Sequence, residues 1–290
     1  MGDDFMKFIL THPGSAHKDE FLACCLMIHQ HMVQVVRRDP SEADLADPDV
    51  AVIDVGGRHE PESANFDHHQ FPRDHEPICA LSLVLKHLGL YEDAQKFCDW
   101  LEPAEWFDTR GPIGTAKWLG VDRKLMTKLN SPIDVTMLRR FAGESELKPG
   151  EPIWEIMRMI GEDLVVYLKG LRSRLDFIDQ HAEFWDIGEG EKAFRILFMP
   201  RTEPMPGDAS GGLERYIAGK GEHEKVSGMI YPDRRGEGFG LSRYEDSPLL
   251  DFTRIESEGD VHFAHARGFV AKTSATERDR LLELMTAARV

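Results

Sequence analysis

The chain of 290 residues is 41% hydrophobic and 30% charged, the composition of a soluble globular protein with room for two real cores. Its formal net charge of −16 opposes the wrapping of long duplex DNA, whose affinity comes from phosphate neutralisation, but allows a small phosphorylated substrate held by metal ions and a few arginines. No apolar run approaches a membrane span, and Met1-Gly2-Asp3-Asp4-Phe5-Met6 has neither a signal-peptide pattern nor the Ser or Thr of a myristoylation site, which predicts a cytoplasmic protein with no membrane partner.

Residues 5–11 alternate and end in Thr11-His12, which predicts a first strand. The cluster His12-Pro13-Gly14-Ser15-Ala16-His17-Lys18-Asp19-Glu20 follows, and helical spacing of apolar residues predicts a helix from Asp19 to about Met32. Val33–Val36 reads as a second strand that closes a β-α-β unit, residues 43–46 as a helical turn, and Val50–Asp54 as a third strand stopped by Gly56-Gly57. Asp67-His68-His69-Gln70 comes next. Helices are predicted over Pro77–Gly89 and Glu92–Glu105, with Phe107-Asp108-Thr109 just beyond. Two short helices over 121–143 are broken by Asn130-Ser131-Pro132. Cys24, Cys25, Cys79 and Cys98 form no CxxC pair and read as reduced core residues.

Lys148-Pro149-Gly150 reads as a hinge, followed by a long helix over Ile153–His181 that Lys169-Gly170 could bend. Short strands at 193–199, 226–231 and 238–244, a helix at 211–219 and a last helix at 275–288 then describe a second domain. The predicted organisation is an N-terminal domain over 1–147, a linker helix over 148–182 and a C-terminal domain over 183–290. The predicted fold class is α/β: an N-terminal parallel sheet with helices on both faces, and a smaller C-terminal α/β or α+β domain.

Carboxylates and imidazoles delivered by strand ends converge at one edge of a parallel sheet, where open α/β folds place their sites. Singly, each candidate has a plainer role: Asp19 and Asp108 as helix caps, Asp54 as a strand terminator. Together, mixed Asp and His ligands suit a borderline divalent metal such as Mn²⁺, Zn²⁺ or Co²⁺ better than Ca²⁺. There are ligands enough for two ions, the arrangement used for hydrolysis at phosphorus.

In order, Thr11-His12-x4-His17-x-Asp19-Glu20, Val52-Ile53-Asp54-Val55-Gly56-Gly57, Phe66-Asp67-His68-His69-Gln70 and the later Asp108 resemble the DHH phosphoesterase superfamily. That superfamily includes manganese-dependent pyrophosphatases, single-strand exonucleases, nano-RNases and cyclic-dinucleotide phosphodiesterases. The first three motifs, with His262-Phe263-Ala264-His265-Ala266-Arg267-Gly268-Phe269, are similar to the Myg-type (melanocyte-proliferating-gene) branch, whose members are described as metal-dependent 3′→5′ RNA exonucleases. In the wider superfamily the first motif is His-x3-Asp-x-Asp. Here the spacing is one residue longer and His17 stands where the first Asp would be.

The resemblance implies a two-domain phosphoesterase with its site in the cleft between domains. His12, His17, Asp19, Asp54, His68 and Asp108 would hold two divalent ions, Mn²⁺ foremost with Zn²⁺, Co²⁺ or Mg²⁺ as alternatives, and Asp54 would bridge them. Asp67 would orient His68 or His69, and His69 with Arg267 would stabilise charge on the phosphoryl oxygens. Read from the residues themselves, Arg234 and Arg243 beside two short strands either sit in surface ion pairs or, with His262, His265, Arg267 and Gly268, bind substrate, guanidinium by bidentate contact and Gly268 by letting backbone amides approach an anion. The expected substrate is a short oligonucleotide. A small phosphate ester such as pyrophosphate, or an inactive metal-binding regulatory role, is the alternative, and homo-oligomers are left open.

Overall fold

A computed structural model describes residues 5–128, 131–190 and 193–290. Met1 to Asp4, on which the signal-peptide and acylation readings rest, and Asn130 of the predicted helix break lie outside the described residues. Contacts divide the chain into a first unit over 1–170 and a second over 171–290.

In the first unit, β1 (Phe8–Thr11), α1 (Lys18–His31), β2 (Val35–Arg37), α2 (Glu42–Ala46) and β3 (Val50–Ile53) follow the predicted order. Two further pairs of residues, β4 (His59–Glu60) and β5 (Asn65–Phe66), join them, and β6 (Glu146–Leu147) completes a sheet of order β4-β5-β3-β1-β2-β6. β2, β1, β3 and β5 are parallel, with Leu10 opposite Val36 on one side and Val52 on the other; β4 and β6 add antiparallel edges. The chain runs from β1 to β2 on one side and then to β3 on the other. The switch point therefore lies between β1 and β3, with the loops after both strands opening there.

Helix α1 is buried along most of its length, from Phe21 to Ile28, because it has neighbours on more than the sheet side. Against it pack α3 (Ala80–His87) and α8 (Pro152–His181), the latter so closely that a Cβ on Gly161 would lie 2.1 Å from the Cys25 carbonyl oxygen. On the opposite face, Leu45 of α2 packs with Leu10, Val50 and Val52. The sheet thus has helices on both faces. All four cysteines are buried and no disulfide joins them.

The stretch predicted as one helix over Glu92–Glu105 is two, α4 (Tyr91–Phe97) and α5 (Leu101–Trp118), separated at Cys98–Trp100. α5 is itself kinked where Gly111 takes φ 66° before Pro112, a backbone step that a helix cannot contain. α6 (Arg123–Lys128) and α7 (Pro132–Ala142) are the two predicted short helices. The residues after Gly150 enter the core of the first unit: Trp154 and Met157 are fully buried, and the Trp154 indole donates to the Val33 carbonyl at 2.9 Å. α8 continues to His181 without interruption, and the boundary between the units falls within it.

The second unit holds β7 (Glu183–Ile187), β8 (Phe194–Phe198), α9 (Leu213–Gly219), β9 (Val226–Pro232), β10 (Phe239–Arg243), β11 (Val261–Ala264), β12 (Val270–Thr273) and α10 (Arg278–Ala287). The sheet order is β11-β12-β10-β9-β8-β7, and only the β8–β9 pair, bridged by α9, is parallel. Alternation along β8 serves both faces: Ile196 packs with Trp185, Leu241 and Leu281, and Leu197 with Ile178, Ile217 and Met229. No helix among the described residues is long and apolar enough to cross a membrane.

Candidate metal centre

His12, Asp54 and Asp67 are the residues that immediately follow β1, β3 and β5, so three adjacent parallel strands deliver them to one sheet edge. α1 begins at the same edge. Its first turn carries Asp19 and Glu20, both buried, and the Glu20 carboxylate accepts the His17 backbone N–H at 2.6 and 2.8 Å. Behind this loop the buried Arg37 donates to the carbonyls of Gly14, Ser15 and Phe141, fixing the turn between His12 and His17. Asp54 adopts φ 58°, a left-handed conformation uncommon outside glycine, which cluster geometry must hold in place.

The side chains converge. His12 Nε2 lies 3.4 Å from Glu20 Oε1 and 3.6 Å from Asp54 Oδ2; His68 Nε2 lies 3.1 Å from Asp54 Oδ1 and 3.0 Å from Asp108 Oδ2. Three sets of ligand atoms fall within 4.8 Å of one another: His12, His17, Glu20 and Asp54; Asp54, His68 and His69; His17, Asp19 and Asp108. Asp54 and His17 each belong to two sets. Asp108, on the part of α5 before the kink, joins the cluster. Lys18, next to the first motif, is drawn away by Asp134 at 3.1 Å.

A cation fits this arrangement. Both oxygens of Asp19, Oδ1 of Asp54 and Nε2 of His68 are buried without a well-formed hydrogen bond. A buried ionised carboxylate left this way costs several kcal/mol unless a positive group completes it. Ligand bonds of about 2.1 Å set neighbouring ligand atoms about 3.0–3.5 Å apart, the spacing seen around Asp54. The His12 Nδ1–H donates to the Pro13 carbonyl at 2.9 Å, which leaves the Nε2 lone pair for the centre.

The charges agree with that reading. Asp54 and Glu20 beside His12 raise its pKa to about 10. For His68, burial works against the charged form, but Asp108 and Asp54 outweigh it and the pKa again reaches about 10. Burial pushes Asp54 up, yet His12 and His68 bring it down to about 2. Burial, with Asp54, Asp108 and Glu20 nearby, drives Asp19 well above the usual carboxylate range.

Asp67 meets His69, not His68. Its Oδ1 accepts His69 Nδ1–H at 2.7 Å and the His69 amide at 3.0 Å, while Oδ2 accepts the Gly57 amide at 2.6 Å. The bond to Asp67 raises the His69 pKa. The ring is otherwise exposed.

The candidates in the second unit do not form a comparable cluster. Arg234, His262 and Arg267 are exposed, and Arg243 and His265 are half-buried. Gly268 has a packing role: at φ +66° a Cβ there would lie 2.0 Å from Asp251 Oδ1. The backbone amides of Arg267 and Gly268 both donate within the turn, to Nδ1 and to the carbonyl of His265, so neither is spare for an anion. Sequence reasoning passed over Glu20 and Arg37. Glu20 had a signal, standing three residues after His17 in a capping-box position; Arg37 had none, since its partners are carbonyls distant in sequence.

A family model described as "Uncharacterised protein family (UPF0160)", the MYG1 exonuclease model, matches residues 8–90. A "MYG1 protein" of Chlamydia trachomatis serovar D is 48% identical over 64 residues, 21% of this chain and 21% of that protein. A "MYG1 exonuclease" of Rattus norvegicus is 42% identical over 64 residues, 21% of this chain and 16% of that protein. The matched stretches span about a fifth of the length of these relatives. Among solved structures, a DHH domain of a member of the s1p family of ribosomal proteins is similar at a TM-score of 0.32 and 16% identity, over 97% of this chain and 85% of that one. The match to the family model is confined to residues 8–90, and that span holds every cluster residue except Asp108.

Proposed function

We propose that the chain is a divalent-metal-dependent phosphodiesterase that removes nucleotides from the 3′ end of short RNA. The observation that carries the reading is the buried, incompletely satisfied cluster around Asp54 at the switch point of a parallel sheet. The naming of the rat relative as an exonuclease supports the class of reaction.

His12, His17, Asp19, Glu20, Asp54, His68 and Asp108 would hold the ions, with Asp54 shared because each of its oxygens faces a different histidine. Mn²⁺ is favoured over Mg²⁺ because imidazole is the softer donor. When bound, such ions supply Lewis acidity toward a phosphoryl oxygen and an acidified water as nucleophile. His69 keeps its proton on Nδ1 through Asp67 and, with its raised pKa, can donate from Nε2 to a phosphoryl oxygen as charge develops. Arg267, exposed in the second unit, would meet a substrate phosphate through its side chain.

The test is a Mn²⁺-dependent assay on a panel of 5′-labelled short RNA, short DNA, cyclic dinucleotides and pyrophosphate. The expected result is stepwise shortening of RNA from its 3′ end, abolished by chelator. Turnover of pyrophosphate alone identifies a small-molecule phosphohydrolase, and metal binding without turnover of any substrate identifies an inactive regulatory protein. Either result rejects the proposal.

A further inference from the structure

Against His68 and Asp108 the first unit opens a cavity of about 190 Å³ whose lining includes Phe71, Arg73, His75 and Arg110. The loop that carries the first three is internally braced. Phe71 N–H donates to the His68 carbonyl at 3.0 Å, and His75 N–H to the Pro72 carbonyl at 2.9 Å. Arg110, the last residue before the kink of α5, donates to the His75 carbonyl and ties the loop to the helix that supplies Asp108.

The bracing presents an aromatic surface. The His75 ring lies on Phe71, 4.8 Å between centroids and 24° from parallel, and His75 Nδ1–H donates to the Glu76 carbonyl at 2.7 Å. Phe71 is backed in turn by His59, edge to face at 5.9 Å. One face of His75 is covered by Phe71, and the residue as a whole is exposed on the lining of the cavity. Arg73, on the same lining, is exposed and has no hydrogen bond or ion pair among the described residues. An exposed ring held at a fixed angle suits the π-face of a base, and an unpaired guanidinium suits a phosphate. Both lie beside the cluster that would hold the reacting phosphorus.

Resting on the phosphodiesterase reading, we propose that this cavity seats the nucleoside on one side of the scissile phosphate, its base stacked on His75 and a phosphate met by Arg73. The inorganic part of a substrate has no use for the ring. Preference for nucleotides over simpler phosphate esters then originates in the first unit, next to the metal centre.

The test measures binding of adenosine 5′-monophosphate and of ribose 5-phosphate to the full chain in Mn²⁺, together with hydrolysis of a dinucleotide. His75→Ala is expected to weaken adenosine 5′-monophosphate about ten-fold or more, the scale of one lost base–aromatic stack, and to leave ribose 5-phosphate within about two-fold. His75→Phe keeps the stacking face and should retain nucleotide affinity, while Arg73→Gln should weaken both ligands. The subsite is overturned if wild type binds the two ligands equally, if it binds neither, or if His75→Ala changes both alike or neither. A chain that binds the nucleotide through His75 but cleaves no dinucleotide rejects the phosphodiesterase reading and leaves the subsite standing. One that cleaves the dinucleotide without any need for His75 does the reverse.

Discussion

In the first turn of α1 and just after β3, Asp19 and Asp54 lie buried with oxygens that lack a well-formed hydrogen bond. In the second unit the equally buried Asp233 is met by Lys272 at 2.7 Å and by the Arg235 amide at 3.2 Å. Both units complete buried acid groups from their own donors, as the first does for Asp67 through the Gly57 amide and the His69 amide and ring, but the first leaves Asp19 with neither oxygen satisfied. In the first unit the open valences of Asp19, Asp54 and His68 belong to one cluster, whereas those of the second, Arg174 Nη1 and Arg243 Nε among them, belong to residues on separate elements. A buried charge that its own chain completes stabilises a fold. One left incomplete is an opening for a ligand, and here the missing group is a cation.

The largest expected effect lies at the shared carboxylate. Asp54→Asn keeps the shape but removes the charge that both histidines face, and it should cut turnover by more than the roughly 100-fold that mutation of supporting groups around metal sites can cost. Thermal unfolding should show the fold intact. Turnover within a few-fold of wild type would take Asp54 out of the site. Glu20→Gln sharpens the same contrast, because it keeps an acceptor for the His17 amide but loses the charge beside His12. Its Mn²⁺ affinity should fall about 10- to 100-fold, as read by calorimetry.

A paired experiment separates the units by role. Arg267→Ala should weaken substrate binding by about 1.5–3 kcal/mol with metal content unchanged, the range for hydrogen bonds to charged groups. His68→Ala should lower metal occupancy and turnover together. If Arg267→Ala loses metal, the division of labour between the units is wrong.

A smaller effect is expected from pH. His12 and His68 titrate at about 10 in the folded, metal-free chain, above the ordinary imidazole value of about 6.5. Folding therefore favours their protonated forms. That stabilisation is complete below about pH 6.5 and is lost as pH rises through 10. In chelator, the unfolding midpoint should fall across this window; in Mn²⁺ the slope should flatten, because ligand imidazoles are already deprotonated. A midpoint in chelator that rises over the same window would contradict the assigned contacts.

Much of the first unit was legible because its signals are local. The β1–α1–β2–β3 order follows from apolar runs, and the candidate residues His12 and Asp54 stand directly after two of them. What was not legible depends on partners far along the chain. β4 and β5 have two residues each, too few for any periodicity, yet β5 is what aims Asp67. The helix over Glu92–Glu105 was misjudged because the apolar spacing passes through Cys98–Trp100 without a strong breaker. In the second unit Gly268 suggested an anion site, whereas contact with Asp251 requires the glycine and His265 takes the neighbouring amides. A motif's residue types show in sequence; whether their donors are already spent does not.

The central claim is that the first unit's unsatisfied carboxylates are completed by divalent cations. Equilibrium dialysis of the full chain against Mn²⁺, beside Asp19→Asn and Asp54→Ala, tests it most directly. The expected result is one or two ions per chain in wild type, with the loss of at least one in each variant and no loss of fold. A wild-type chain that binds no Mn²⁺, or variants that bind as wild type does, would contradict the claim.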